Sequence, residues 1–158
     1  MYNAKVAEQN KQSAKAFFHA IEECNIDKVL DLFAYDGVQF NPYCSGIFPE
    51  VAHGHDEIRE YWKPAFTSFD GMKFPIHEVY AMENCDIVYV HYSGEITLKE
   101  NSGVYRNDYF SIIKFDDSGK IQHHTEIFNP IIAAKELGLM EQLLSTNIST
   151  TNVNARSI

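Results

Sequence analysis

The spacing of apolar residues changes once along this chain, near residue 73, and that change limits the folds open to it. Upstream, Val6, Asn10, Ala14, Phe17, Phe18 and Ile21 recur every three or four positions, the spacing that aligns one face of an α-helix. Asn25 can cap a second, short helix carrying Ile26, Val29, Leu30 and Phe33, because an Asn side chain accepts from the free N–H groups of a first turn. Downstream, KFPIHEVYAM, DIVYVHYSGEITL, VYRNDYFSIIKF and KIQHHTEIF show a period of two and are parted by short polar or Gly-containing turns. They read as strands of an antiparallel meander. Helices first and a sheet afterwards predict a single α+β domain, with the helices on one face of the sheet.

The connecting stretches refine this. DGVQFNPYC leaves the second helix through Gly37 and enters a short strand that Pro42 ends, as a residue without an N–H must. In GHDEIREYWKPAFTSF, Ile58, Trp62 and Phe66 share a helical face, and Pro64 is expected to kink or end that third helix near Tyr61. Asn129 and Pro130 suit the cap and first position of a closing helix, with Gly138 as its stop. The domain is expected over residues 1–144, with the Ser-, Thr- and Asn-rich segment 145–158 a disordered tail.

With 158 residues, 45% of them hydrophobic, the chain can bury a proper core. Its formal charge of −9 offers no phosphate-seeking surface, so nucleic acid and anionic membranes are not expected partners. No apolar run reaches the length of a membrane span, and the first twenty residues lack a signal-peptide core. Cys24, Cys44 and Cys85 are an odd number without metal-knuckle spacing, which points to a reducing, cytoplasmic setting.

The acidic residue in HTEIFNP is the chemical clue. Glu126 stands in an apolar, aromatic run, where an ionised carboxylate needs a partner or must take up a proton. A two-residue turn at Asp117 and Ser118 would set Ser111 opposite His124, Tyr109 opposite Glu126 and Asn107 opposite Phe128, all on one face. The other face would carry Phe110, Ile112, Ile121, His123 and Ile127. Two apolar faces predict helices on one side and a second subunit, as a homodimer, on the other.

The order of these elements, with GHDEI opening the third helix and NDYFSIIKFDDSGKIQHHTEIFNP closing the sheet, resembles the SnoaL-like, ketosteroid isomerase-like branch of the nuclear transport factor 2-like superfamily. GKI, Glu-x-Phe-Asn and IIAAKELGL further resemble the phenazine biosynthesis A/B proteins. The resemblance covers about residues 5 to 140. It implies a cone in which a curved sheet wraps helices around a deep apolar pocket, usually dimeric, and it implies a pocket-facing general acid or base at Glu126. Relatives isomerise, cyclise or condense small carbonyl compounds without metal or organic cofactor. One departure is Tyr61, which stands where phenazine-type relatives carry a His, so that residue's role does not transfer.

The candidate catalytic residues are therefore Glu126 and Tyr109, the latter with Asn107 as a donor to a substrate oxygen as charge develops there. Tyr61, Trp62, Tyr43, Phe40 and Phe128 are candidate walls of the binding site, and His124 shares the Glu126 face and could tune its charge. HGHD at 53–56 contains metal-type residues, but Asp56 in a first helical turn suits the helix dipole instead. The leading expectation is a cofactor-independent acid–base enzyme of secondary metabolism acting on an apolar carbonyl compound. The rivals are a ligand-binding protein of the same fold without turnover, and a dimeric interaction module.

Overall fold

Asn3 starts the fold by accepting hydrogen bonds from the Lys5 and Val6 N–H groups at the head of helix α1 (Ala4–Glu22). The computed structural model describes residues 3–146. The buried stripe of α1 runs through Asn10, Ala14, Phe17, Phe18 and Ile21, with Ala7 beginning it in place of Val6. Asn10 is tolerated inside because its amide donates to the Cys85 carbonyl at 2.8 Å. Asn25 caps α2 (Ile26–Leu32) by accepting from Lys28 N–H. Strand β1 (Phe33–Phe40) follows with no intervening residue, so Gly37 lies inside a strand and not at a helix end.

The remaining elements are β2 (Val51–His53), α3 (Gly54–Ser68), β3 (Phe69–Lys73), β4 (Ile76–Ala81), β5 (Ile87–Leu98), β6 (Val104–Phe115), β7 (Ile121–Phe128), α4 (Pro130–Glu136) and α5 (Met140–Ser145). Helix α3 runs through Pro64 without ending. The carbonyl that loses its partner there belongs to Glu60, an exposed residue where solvent can replace the bond. The stretch expected as one strand from residue 73 is interrupted at Phe74 and Pro75, and β3 and β4 both pair with the long β5. Helix α5 carries order to Ser145; the expected tail falls outside the described residues beyond 146.

The sheet order is β2-β1-β7-β6-β5-β3, with β4 beside β5. All pairings are antiparallel except β1 with β7. Val88, Val90, Tyr92 and Ile96 of β5, Tyr105, Tyr109 and Ile113 of β6, and His124 and Phe128 of β7 are buried on the inner, concave side. Phe17 and Phe18 of α1 pack against that side, 4.8 Å from the His124 ring and 4.3 Å from the Tyr92 ring respectively. The α+β layout is the one that the order of periods predicts, and the cone is the form that the family resemblance implies.

The β6–β7 register differs from the expected one by two residues. Tyr109 lies opposite Phe128, Ser111 opposite Glu126 and Ile113 opposite His124. Two single-residue irregularities cause this. The turn is one residue longer than assumed, with Asp116 N–H bonded to the Lys120 carbonyl and Gly119 at φ +80°. The ladder then slips once more between Lys114 and Phe115, where Gln122 is the extra residue. One slip would turn every side chain over; two restore the predicted faces and change the neighbours. Only Ile121, which precedes the second slip, changes sides: it is buried in the core opposite Phe115.

Gly37 sits where β1 bulges against β7, between the pairs Phe33–Ile121 and Val38–His123. A Cβ there would lie 2.8 Å from the Ile121 carbonyl oxygen and 2.9 Å from the Phe33 ring, so backbone and ring must both retreat. Gly37→Ala is expected to destabilise the fold by about 1–3 kcal/mol, read as a thermal midpoint lowered by about 3–9 °C; an unchanged midpoint would mean that the two strands are not packed this closely.

Candidate functional site

Burial on the inner face brings polar side chains from four strands into one hydrogen-bonded chain. The Tyr92 hydroxyl of β5 donates to Glu126 Oε2 of β7 at 3.0 Å and lies 3.2 Å from Ser111 Oγ of β6. Ser111 Oγ is 2.7 Å from His124 Nε2, and His124 Nδ1 is 2.7 Å from Gln39 Oε1 of β1. The Gln39 oxygen can only accept, so Nδ1 carries the imidazole proton and Nε2 accepts from the Ser111 hydroxyl. Tyr92 then has one proton for two acceptors. With Glu126 protonated, its O–H can donate to Tyr92, which donates to Ser111, and every link holds a proton. With Glu126 ionised, Tyr92 turns to the carboxylate.

The surroundings set the charge states. Burial pushes the Glu126 carboxyl from its ordinary 4.5 up to about 7, against the opposing pull of the Tyr92 hydrogen bond. Burial, and secondarily His123, pushes His124 down to about 3, so His124 is neutral and does not supply charge to its neighbour. The hydroxyls of Tyr61, Tyr92 and Tyr109 are driven well above 10, first by burial, with the charge of Glu126 adding to it. All three remain neutral donors.

Above this chain lies a cavity of about 430 Å³. Its walls come from α3 (Tyr61, Trp62, Ala65), the sheet (Ile96, Tyr105, Tyr109, Phe128) and the C-terminal segment (Leu137, Leu139), with Glu126 also lining it. Tyr61 is steadied by the Asn41 amide, which donates to its hydroxyl. Tyr105 and Tyr109, four residues apart on β6, join hydroxyls at 2.9 Å. Such a chamber, apolar with a few converging polar groups, is the usual form of a small-molecule site.

Of the residues expected from sequence, Glu126, Tyr109, Tyr61, Trp62 and Phe128 line the cavity. The others do not. Asn107 gives both amide hydrogens away, to the Tyr105 hydroxyl and the Asn129 carbonyl, each at 2.9 Å, and so has no donor left for a substrate oxygen. Phe40 points to the outer face, where its ring lies 5.9 Å from that of His123. Tyr43 is exposed in the loop after β1. His124 is fully buried beneath the cavity, between Ser111 and Gln39. Tyr92, Ser111, Gln39, Asn41 and Tyr105 were not among the expected residues, although the alternation Val88, Val90, Tyr92 already sets Tyr92 on the core face.

The HGHD residues are engaged separately. His55 contacts the Phe33 carbonyl at 3.2 Å, and Glu57 accepts from His53 N–H at 2.8 Å. Among the described residues no three metal-type side chains converge.

The model of the SnoaL-like domain matches residues 14–124. The chain belongs to the SnoaL-like domain family. Its fold is similar to that of a phenazine biosynthesis-related protein from Pseudomonas aeruginosa, with a TM-score of 0.75 at 18% identity, covering 97% of this chain and 93% of that one. It is also similar to BvnE pinacolase from Penicillium brevicompactum, with a TM-score of 0.73 at 15% identity, covering 87% and 98%. TerC, co-crystallised with polyporic acid, superposes with a TM-score of 0.67 at 19% identity over 87% of this chain and 99% of its own. Among curated proteins none matches the sequence. The family and fold are thus those that the sequence motifs resemble.

Two outcomes follow from the buried pair. Between pH 4.5 and about 7 the folded state holds the Glu126 proton more tightly than the unfolded chain, so this group's contribution to stability falls as pH rises, by about 3 kcal/mol over the window. His124 acts oppositely: neutral when folded and 6.5 when unfolded, it costs stability as pH falls from 6.5 toward about 3. Wild type should be nearly flat between pH 4.5 and 6.5 by chemical denaturation, whereas Glu126→Gln should gain stability with rising pH there; parallel profiles would show that the carboxyl is not desolvated. Separately, Tyr92→Phe should move the Glu126 carboxyl further above about 7 in a carbon-detected NMR titration, because the hydrogen bond that favours the anion is gone.

Proposed function

We propose that this protein is a cofactor-independent acid–base enzyme of secondary metabolism, an isomerase, cyclase or condensation catalyst acting on an apolar carbonyl compound. The observation that carries the reading is the Glu126 carboxyl, held by one neutral phenol at the wall of an apolar cavity, with a proton affinity pushed to about 7. A carboxyl balanced near neutral pH can both take and return a proton, and the efficiency of general acid–base catalysis is greatest when the group's pKa lies near the working pH. The roles of proteins of similar fold, in phenazine biosynthesis and as a pinacolase, lend support.

In this reading Glu126 removes a proton from the carbon beside a substrate carbonyl and delivers it to a second position of the substrate. The negative charge gathers on the carbonyl oxygen meanwhile. Tyr109, already in the cavity, turns its hydroxyl from Tyr105 to that oxygen, and Tyr61 offers a second phenol from α3. Trp62 and Phe128 exclude water and hold the apolar body of the substrate. Tyr92 is a positioning residue, since it acts through the carboxyl.

The outer sheet face carries aromatic rows, including His91 stacked on Phe110 at 4.7 Å and Tyr80 on Tyr89 at 6.3 Å, and these support a homodimer through that face. The three free cysteines suit a reducing compartment such as the cytoplasm.

The test is turnover of cyclic ketones and quinones by wild type and by Glu126→Gln. With a substrate that wild type converts, the variant should lose about 10²- to 10⁴-fold in kcat while KM changes by no more than a few-fold. A variant that keeps its turnover would remove Glu126 from the chemistry; a wild type that binds these compounds without converting them would leave a binding protein.

A further inference from the structure

The cavity has a charge character that goes beyond the acid–base reading. Of the described residues lining it, two are acidic, Glu126 and Glu60, and none is Lys, Arg or His. Lys63, three residues after Glu60 on α3, is paired with that carboxylate at 3.3 Å. The remaining polar groups of the walls are uncharged: the phenols of Tyr61, Tyr105 and Tyr109, the Ser68 hydroxyl, the Asn41 amide and the Trp62 indole. Two of these bring buried atoms with no partner among the described residues, Asn41 Oδ1 and Trp62 Nε1. One accepts and one donates, and neither carries charge.

We propose that the cavity selects uncharged apolar carbonyl compounds and rejects anionic ones, so that the physiological ligand bears no free carboxylate, sulfate or phosphate. An anion entering an apolar chamber sheds its water, and only a cation or a dense set of donors can replace it. Here the entering anion meets no cation and approaches a carboxyl, whose ionised form repels it. A ketone or quinone of the same shape loses little hydration and can still accept from a phenol or from the indole N–H. Discrimination thus arises chiefly from what the unwanted ligand would leave unpaired. The inference rests on the proposed function for the presence of a small carbonyl ligand, and is independent of whether that ligand is turned over.

Two probes of nearly equal shape separate charge from fit: 1-adamantyl methyl ketone and 1-adamantanecarboxylate. Trp62 is the chain's single tryptophan and lines the cavity, so its fluorescence reports occupancy of this chamber. At pH 8, where the acid is ionised, the ketone should bind the full-length chain roughly ten-fold or more tightly than the carboxylate. In Ala65→Lys, which adds an ammonium to a half-buried wall position on a helix, the carboxylate should tighten until it matches or exceeds the ketone. Equal affinities in wild type would overturn charge selection while leaving the small-molecule reading intact. A ketone that leaves Trp62 unchanged at millimolar concentration would overturn the small-molecule reading, and this inference with it. Loss of turnover in Glu126→Gln bears on neither result, which keeps the failure of catalysis distinguishable from the failure of selection.

Discussion

The hydrogen-bonded chain from Gln39 through His124, Ser111 and Tyr92 to Glu126 is the constraint on which the inner sheet depends. Its members come from β1, β7, β6 and β5, and Gln39, Tyr92, Ser111 and His124 are essentially closed to solvent. A buried polar group without a partner costs about 1–3 kcal/mol, so any register in which one link fails is penalised at once. A shift of β7 by two residues would keep every face correct and yet bring Tyr109, not Ser111, opposite Glu126. Hydrophobic alternation cannot tell those two registers apart; the polar chain can. The longer turn at Asp116–Lys120 and the bulge at Gln122 are the geometry that the chain requires.

The same arrangement explains why the cone can keep an ionisable group at its cavity wall. Phe17 and Phe18 pack beneath the polar chain, against His124 and Tyr92, and the apolar cavity wall surrounds Glu126 from the other side. His124 answers by staying neutral and Glu126 by holding its proton to higher pH. Since one group loses stability with rising pH and the other with falling pH, the pair is close to neutral in its effect over the interval they share. A lone buried carboxyl would make the fold strongly pH-dependent in that interval. The imidazole two residues away, fixed by Ser111 and Gln39, offsets that dependence without contributing any charge to the cavity.

Much of the fold can be read from the sequence because local physics decided it. The helical and strand periods placed the elements, Asn25 and Asn129 cap the helices they were expected to cap, and the common face of Glu126, Tyr109 and His124 followed from alternation. What could not be read depended on single residues. A bulge adds one residue and has no composition of its own, so the lateral partner of Glu126 was misplaced although its face was right. The parallel pairing of β1 with β7 joins segments about eighty-five residues apart and has no local signal. Phe40 was expected in the pocket on chemistry alone, whereas parity along β1 gives the inner side to Gln39. Gly37 has the composition of a helix stop, but its place is set by β7, which passes so close that a Cβ would crowd the Ile121 carbonyl.

Which polar residues serve the site is decided by bookkeeping of donors, and residue type is a poor guide to it. Asn107 and Asn41 are both buried amides near Tyr hydroxyls. Asn107 spends both hydrogens on Tyr105 and the Asn129 carbonyl, and its oxygen accepts from Asp108 N–H; it is complete, and so it is scaffold that locks the Tyr105–Tyr109 pair to the head of α4. Asn41 steadies Tyr61 and leaves its oxygen unmet, as Trp62 leaves its N–H. Glu126 gives one oxygen to Tyr92. Incomplete polar groups in a native interior call for an explanation. Of the four buried side-chain atoms left without a partner among the described residues, Gln39 Nε2 lies at the end of the polar chain and Asp86 Oδ1 in the bend before β5, whereas Asn41 Oδ1 and Trp62 Nε1 belong to the cavity wall. The two at the wall are the ones placed to meet a ligand, and they, with the free oxygen of Glu126, distinguish the functional side of this cone from its structural side.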